Sequence, residues 1–293
     1  MNNPLVSVVL CTYNDEKYIK QSIEAVLAQT YKNFEFIIWN DGSTDSTEQI
    51  VKSYNDSRIR YFYHENTGLG MALALACKKA KGKYIARIDG DDICMPYRFE
   101  REVCYLDSHP NVVLVSSSVI YIDENGCKLG CSFPWTWNRN IKASFNIVHP
   151  AAMFRRDVYE KTCGYQDIKS AQDRILWSKM AKYGKFAIIQ EPLIKYRWIS
   201  TSLSHMIDVN SLYAKMLEVI RQKMSDDQII SDVDIELHNK FYQLSKTGNY
   251  SGFSTYHQGI EEKVDKVLKR IIGDRSSRNV LIFFKNIYAY LKY

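Results

Sequence analysis

Two hydrophobic periods alternate along the first two hundred residues. The β-rich run LVSVVLC (Leu5–Cys11) is followed by EKYIKQSIEAVLAQ, in which Tyr18, Ile19, Ile23, Val26 and Leu27 share one helical face. Together they predict a βα unit. FEFIIWN (Phe34–Asn40) predicts a second strand, and Asp45 with Glu48 predicts a capping-box start for a helix beginning near Ser46. RIRYFYH predicts a third strand, GMALALACKKAKG a helix closed by Gly82, and KYIARID a fourth strand. Such alternation predicts an α/β fold, a mainly parallel sheet with helices on both faces. In sheets of this kind ligands bind beyond the carboxyl ends of the strands, where the winding reverses.

After Pro96 the pattern predicts a helix over about 97–108, a strand in NVVLVSSSVIYID, and a hairpin or loop over 125–138. FNIVHPAAMF predicts another strand. AQDRILWSKMAKYG predicts a helix with Ile175, Leu176, Met180 and Tyr183 facing inward, and KFAIIQ closes this part. Beyond about Ser204 the pattern becomes long and helical without strands. The expected division is a body at 1–204 and a helical C-terminal region at 205–293.

The apolar strand YIARID ends in Asp89, Asp91 and Asp92 around Gly90. Strand geometry carried through Gly90 points Asp89 and Asp91 the same way, and the glycine lets a backbone or ligand come close. Two like charges this near repel unless a cation lies between them, and hard oxygen ligands in low number suit Mg²⁺ or Mn²⁺ shared with phosphate oxygens. Asp41, just past the second strand, falls on the same rim. Read alone, each has a plainer role: Asp92 as a helix cap and Asp41 as a turn residue.

Composition narrows the classes. With 293 residues, 46% hydrophobic and 13% aromatic, the chain buries a large core. A net charge of +6 fits anionic partners such as nucleotide diphosphates or acidic lipid head groups, but no clustered basic motif supports nucleic acid. Seven cysteines without regular spacing, and no secretory signal, predict a reducing cytoplasm. No apolar stretch reaches the roughly 20 residues of a spanning helix. CTYNDE has no glycine where a dinucleotide-binding oxidoreductase needs them.

Taken in order, VSVVLCTYN, AVLAQTYKNFEFIIWNDGSTD, NTGLG, AKGKYIARIDGDD, HPAAMFRR, and AQDRILWSKMAKYG followed by YRWISTSLS carry a resemblance. Over about residues 4–204 the chain resembles family 2 inverting glycosyltransferases of the GT-A fold. The resemblance implies a nucleotide-diphosphate sugar donor, UDP-hexose by expectation, and a Mn²⁺ or Mg²⁺ cofactor. The acceptor it implies is a glycan or lipid-linked oligosaccharide in surface polysaccharide synthesis. By the same analogy Asp41 accepts a hydrogen bond from the base, and the backbone of Cys11, Thr12 and Tyr13 lines the base pocket. Asp91 is the metal ligand, Asp89 lies nearer the ribose or sugar, Arg197 contacts the diphosphate, and Asp173 is the general base. Departures from the family pattern are Asn40 for a frequent Asp, Gln172 for Glu, Ala74 for Asn and Cys11 for Pro. A non-catalytic nucleotide-sugar binding module is the alternative, against which Asp173 argues.

His149 and His64 are acid–base candidates by residue type; His149, before Pro150 in an apolar stretch, is expected to pack beside the acceptor site or hydrogen-bond locally. Trp135 and Trp137 suit a core or hairpin contact better than a sugar platform. The tail KVDKVLKRIIGDRSSRNVLIFFKNIYAYLKY mixes basic and apolar residues. It fits an anionic membrane surface, which would make the protein cytoplasmic and peripheral on the inner face of the membrane, and equally a packed helix or a homodimer contact.

Overall fold

The computed structural model describes residues 3–132, 147–168 and 171–199. The boundary near Ser204, the C-terminal region, and Trp135 and Trp137 lie outside them.

The first half alternates as the pattern predicts: β1 (Val6–Thr12), α1 (Ile19–Leu27), β2 (Phe34–Asn40), α2 (Thr47–Lys52), β3 (Ile59–Tyr63), α3 (Leu69–Cys77) and β4 (Tyr84–Asp89). Every residue of β1 and β2 is buried, because side chains leave a strand on both faces and both faces are covered. On one face Val6, Val8 and Leu10 meet Ile19, Ile23 and Val26 of α1; on the other Val9 and Ile37 meet Ala72, Leu73 and Ala76 of α3.

Strand β1 pairs in parallel with both β2 and β4, and β2 with β3. The spatial order β3-β2-β1-β4 therefore reverses its winding at β1. A crevice is left between the carboxyl ends of β1 and β4. Register sets Cys11 opposite Asp89 and Thr12 opposite Asn40, so the residues singled out from sequence share that rim.

The second half follows as β5 (Ile93–Cys94), α4 (Arg98–Ser108), β6 (Val112–Ile122), β7 (Lys128–Ser132), a 3-10 turn at His149–Ala151, β8 (Met153–Arg155), α5 (Arg156–Lys161), α6 (Gln172–Met180) and β9 (Lys185–Arg197). β8 runs antiparallel between β4 and β6, β9 lies parallel to β6, and β5 and β7 add antiparallel pairs. The sheet is thus parallel around the crevice and mixed beyond it, where the alternation alone predicts a mainly parallel one.

Several local expectations shift for identifiable reasons. The strand expected in FNIVHPAAMF is cut back to β8, since Pro150 brings no N–H to a ladder and His149–Ala151 coil instead. Tyr183 is 49% exposed because α6 ends at Met180 and the residue falls in the turn after it. At α2 Asp45 Oδ1 accepts from Thr47 N at 3.0 Å, but Glu48 pairs with Lys52 at 2.6 Å instead of closing a capping box.

At the amino ends of the strands a buried polar clasp joins separate segments. Ser7 Oγ donates to Glu35 Oε1 at 2.6 Å and accepts from the backbone N–H groups of Lys81 (3.0 Å) and Gly82 (2.8 Å). Glu35 also accepts from Lys81 N at 2.7 Å and pairs with Arg60. A Cβ on Gly82 would meet Ser7 N at 2.6 Å and Leu5 O at 2.7 Å, so only glycine allows this approach.

Candidate active site

Asp89 ends β4 at the rim, and its neighbours define the site. On β4 the residue two before it, Arg87, lies on the same face; its guanidinium pairs with Asp89 Oδ1 and donates to Ile88 O. Beyond Gly90 the turn brings Asp91 back beside Asp89. From the other side comes Asp15, whose Oδ2 accepts from Thr12 Oγ1 at 2.7 Å and would lie 2.4 Å from a Cβ on Gly90. Gly90 is therefore what lets a third carboxylate press against the pair.

Crowding and burial alter how these groups hold protons. Burial, with Asp89 and Asp15 nearby, pushes Asp91 up to about 7. Burial also pushes Asp15 up to about 6, with Asp89 and Asp45 adding to it. Asp92 is buried and raised well above the carboxylate range. Its Oδ1 accepts from the Arg197 backbone N–H at 2.8 Å, so it ties the turn to β9 and does not cap α4.

The turn is held from outside by two residues. Ser22 of α1 reaches the carbonyls of both Gly90 and Asp92 at 2.7 Å. Arg197, at the end of β9, donates from Nε to Asp91 O (2.9 Å), from Nη1 to Asp123 O (3.0 Å) and Glu124 O (3.1 Å), and from Nη2 to Gln21 Oε1 (2.9 Å). The guanidinium also lies 4.4 Å over the Tyr18 ring. Arg197 is buried, with four of its five donors engaged by the chain as a brace of the loop.

The rim of β1 and β2 is interlocked. Asp41 N donates to Thr12 O at 2.9 Å. The Asp41 carboxylate accepts from Thr67 N and Oγ1, both at 3.0 Å, and from Gly68 N at 2.9 Å. Asp41 thereby holds the loop leading into α3, and about one of a carboxylate's four acceptor positions is left for a ligand. Cys11 is buried, its thiol raised by burial despite Arg87, and Asp89 and Asp41 both act on it. Tyr13 beside it is 50% exposed.

Asp173 stands in the first turn of α6, after Ala171 at φ 57, and is half-buried. Burial raises its carboxyl above the usual range; Arg174 and the helix N–H groups oppose this, and Asp89 adds to it. Asp89 thus lies within electrostatic reach of Asp91, Asp15 and Asp173 together. The structure brings the expected carboxylates into one neighbourhood.

Three contributors escape the motif reading: Asp15, Ser22 and Arg87. Arg87 left one signal, an arginine inside an otherwise apolar strand two positions from Asp89. His149 bonds the Tyr165 hydroxyl at 2.8 Å and meets the Trp177 ring edge-on, with burial and Arg87 holding it neutral. His64 stacks on Trp39. His149 thus makes the local hydrogen bond expected of it.

Asp15 and Asp41 just past β1 and β2, Asp89 at the end of β4 and Asp173 in α6 mark the switch-point side of this α/β fold. The chain belongs to glycosyl transferase family 2, whose profile matches residues 7–163. A glycosyltransferase of Methanocaldococcus jannaschii is 39% identical over 208 residues, covering 67% of this chain and 72% of that protein. One of Rickettsia prowazekii is 32% identical over 312 residues, covering 93% and 98%. Among solved structures, S. aureus TarS in complex with UDP-GlcNAc superposes with a TM-score of 0.62 at 20% identity, covering 85% of this chain and 75% of that one. The Pyrobaculum calidifontis mannosyltransferase PcManGT, in complex with GDP-Man and Mn²⁺, gives 0.59 at 15% identity, covering 99% and 82%. These two likenesses show the GT-A-like fold, and the family makes the chain a glycosyltransferase.

Proposed function

We propose that the chain transfers a hexose from UDP to a hydroxyl of a glycan acceptor, lipid-linked and destined for surface polysaccharide, in a single displacement that inverts the anomeric centre. The observation that carries this reading is the switch-point rim itself, where register sets Asp89 opposite Cys11 in a chain whose family profile spans residues 7–163. Asp173, in the first turn of α6 with its carboxyl raised by burial, is the general base for the acceptor hydroxyl in this reading. UDP as the carrier is supported by the TarS likeness, GDP-linked donors by PcManGT.

The backbone of Cys11, Thr12 and the exposed Tyr13 lines the base, and Asp41 offers its remaining acceptor position to it. Asp89 binds ribose or sugar hydroxyls. Among the described residues no group of three or more His, Cys, Asp or Glu forms a ready-made metal cage. The residues nevertheless fit Mn²⁺ or Mg²⁺: such ions use one or two carboxylates and complete their shell with phosphate oxygens, and the repulsion at Asp91 is what a cation relieves. Asp91 is the ligand in this reading, and the ion, when bound, neutralises charge on the departing diphosphate. Arg197 keeps the Asp91 turn in place. With Asp173 as base and no second carboxylate required as nucleophile, the displacement is single and inverts the anomeric centre.

The test is a panel of nucleotide sugars with Mn²⁺ or Mg²⁺, read as nucleoside diphosphate released with and without glycan acceptor. Release from UDP-hexose is expected, and Asp173→Asn should lower kcat by about 10²- to 10⁴-fold. Full-rate transfer by Asp173→Asn would remove it as the base.

A further inference from the structure

Among the described residues Arg87 is a fully buried cation on the β4 face whose apolar neighbours come from α3 and α6. Its side chain is 1% exposed, against 30% for Asp89, and Nε finds no hydrogen-bond partner among the described residues. Around it lie Cys11, Tyr165 and His149, the last held neutral. A buried guanidinium is costly to desolvate, and a methionine of similar volume often serves folding as well or better. Stability therefore does not account for an arginine here. Because Asp89 keeps access to water, removing Arg87 strands no fully buried charge.

We propose that Arg87 is a positioning residue for donor capture: from inside the sheet its guanidinium clamps Asp89 Oδ1, fixing that carboxylate so that its second oxygen is presented to the donor's sugar or ribose hydroxyls. The geometry supports a one-sided hold. Nη2 takes Asp89 and Nη1 the adjacent backbone carbonyl of Ile88, so guanidinium and strand end move as a unit. Ser22 and Arg197 fix the following turn independently. Asp91 is thus held through the backbone and Asp89 through its side chain.

The inference rests on the donor-site reading above. It is tested by a double-mutant cycle of Arg87→Met and Asp89→Asn in the full chain. The readouts are donor KM and kcat, the dissociation constant of UDP with Mn²⁺, and the melting temperature. Arg87→Met is expected to raise KM and the UDP constant about 10- to 100-fold with kcat within about threefold, and to do nothing further in the Asp89→Asn background. Its melting temperature should stay within about 5 °C of wild type. Arg87→Lys, which restores a point charge without the planar fork, should fall between the two. Additive effects, or an unchanged UDP constant in a folded variant, overturn the clamp; should the methionine variant not fold, the cycle with Arg87→Lys decides by the same additivity. Wild-type protein that neither binds UDP nor releases it from a donor overturns the proposed function and the clamp together. Wild-type activity with an additive cycle overturns the clamp alone.

Discussion

Asp91 and Asp15 hold protons up to about pH 7 and about pH 6 because they are half-buried beside other carboxylates. The unfolded chain releases those protons near the ordinary 3.8. Between these limits the folded state binds more protons than the unfolded one, so stability falls as pH rises. The contribution is fully present below about pH 4 and is lost through pH 6 to 7. Asp56 acts oppositely, since its pairing with Arg58 lowers it to about 2 and its contribution fades only in stronger acid. Urea midpoints of the metal-free protein should therefore be lower at pH 8 than at pH 5.5, and Asp15→Asn should shrink that gap. Equal wild-type midpoints at the two pH values would refute this account of the cluster.

At the scale of elements, the clasp at the amino ends of the strands and the turn at their carboxyl ends do different work. Ser7→Ala removes the acceptor of the Gly82 N–H and one of two for the Lys81 N–H in a buried place. It should cost about 1–3 kcal/mol in chemical denaturation and leave donor KM unchanged, since the clasp lies a full strand away from the crevice. A changed KM would mean that the two ends of β1 are coupled. The elements themselves were largely legible: mostly apolar runs gave β1, β2 and β4, and the 3.6 period gave α1. The short α5 was not, because six residues are too few to establish a period, and for β8 a strand was legible but its length and its antiparallel pairing with distant β6 were not.

For the whole molecule, no helix among the described residues is long and apolar enough to cross a membrane. We propose that the basic and aromatic C-terminal stretch rests on an anionic membrane surface where a lipid-linked acceptor is presented. Sedimentation with vesicles containing acidic lipid should recover the full chain, and truncation after residue 262 should reduce that recovery severalfold. Undiminished recovery of the truncated chain would rule the stretch out.

By itself the sequence determined the alternation of strands and helices, the rim on which Asp41, Asp89 and Asp91 fall, and the family, because periodicity and motif spacing are local properties of the chain. Tertiary structure alone decided what those residues can do. It made Arg197 a brace of the Asp91 turn, set Asp15 against Gly90, brought Asp173 within reach of Asp89, and placed Arg87 under the site. Each of these depends on burial and on charges brought together from segments far apart in sequence, and a side chain's proton affinity and free donors are fixed only when its neighbours are.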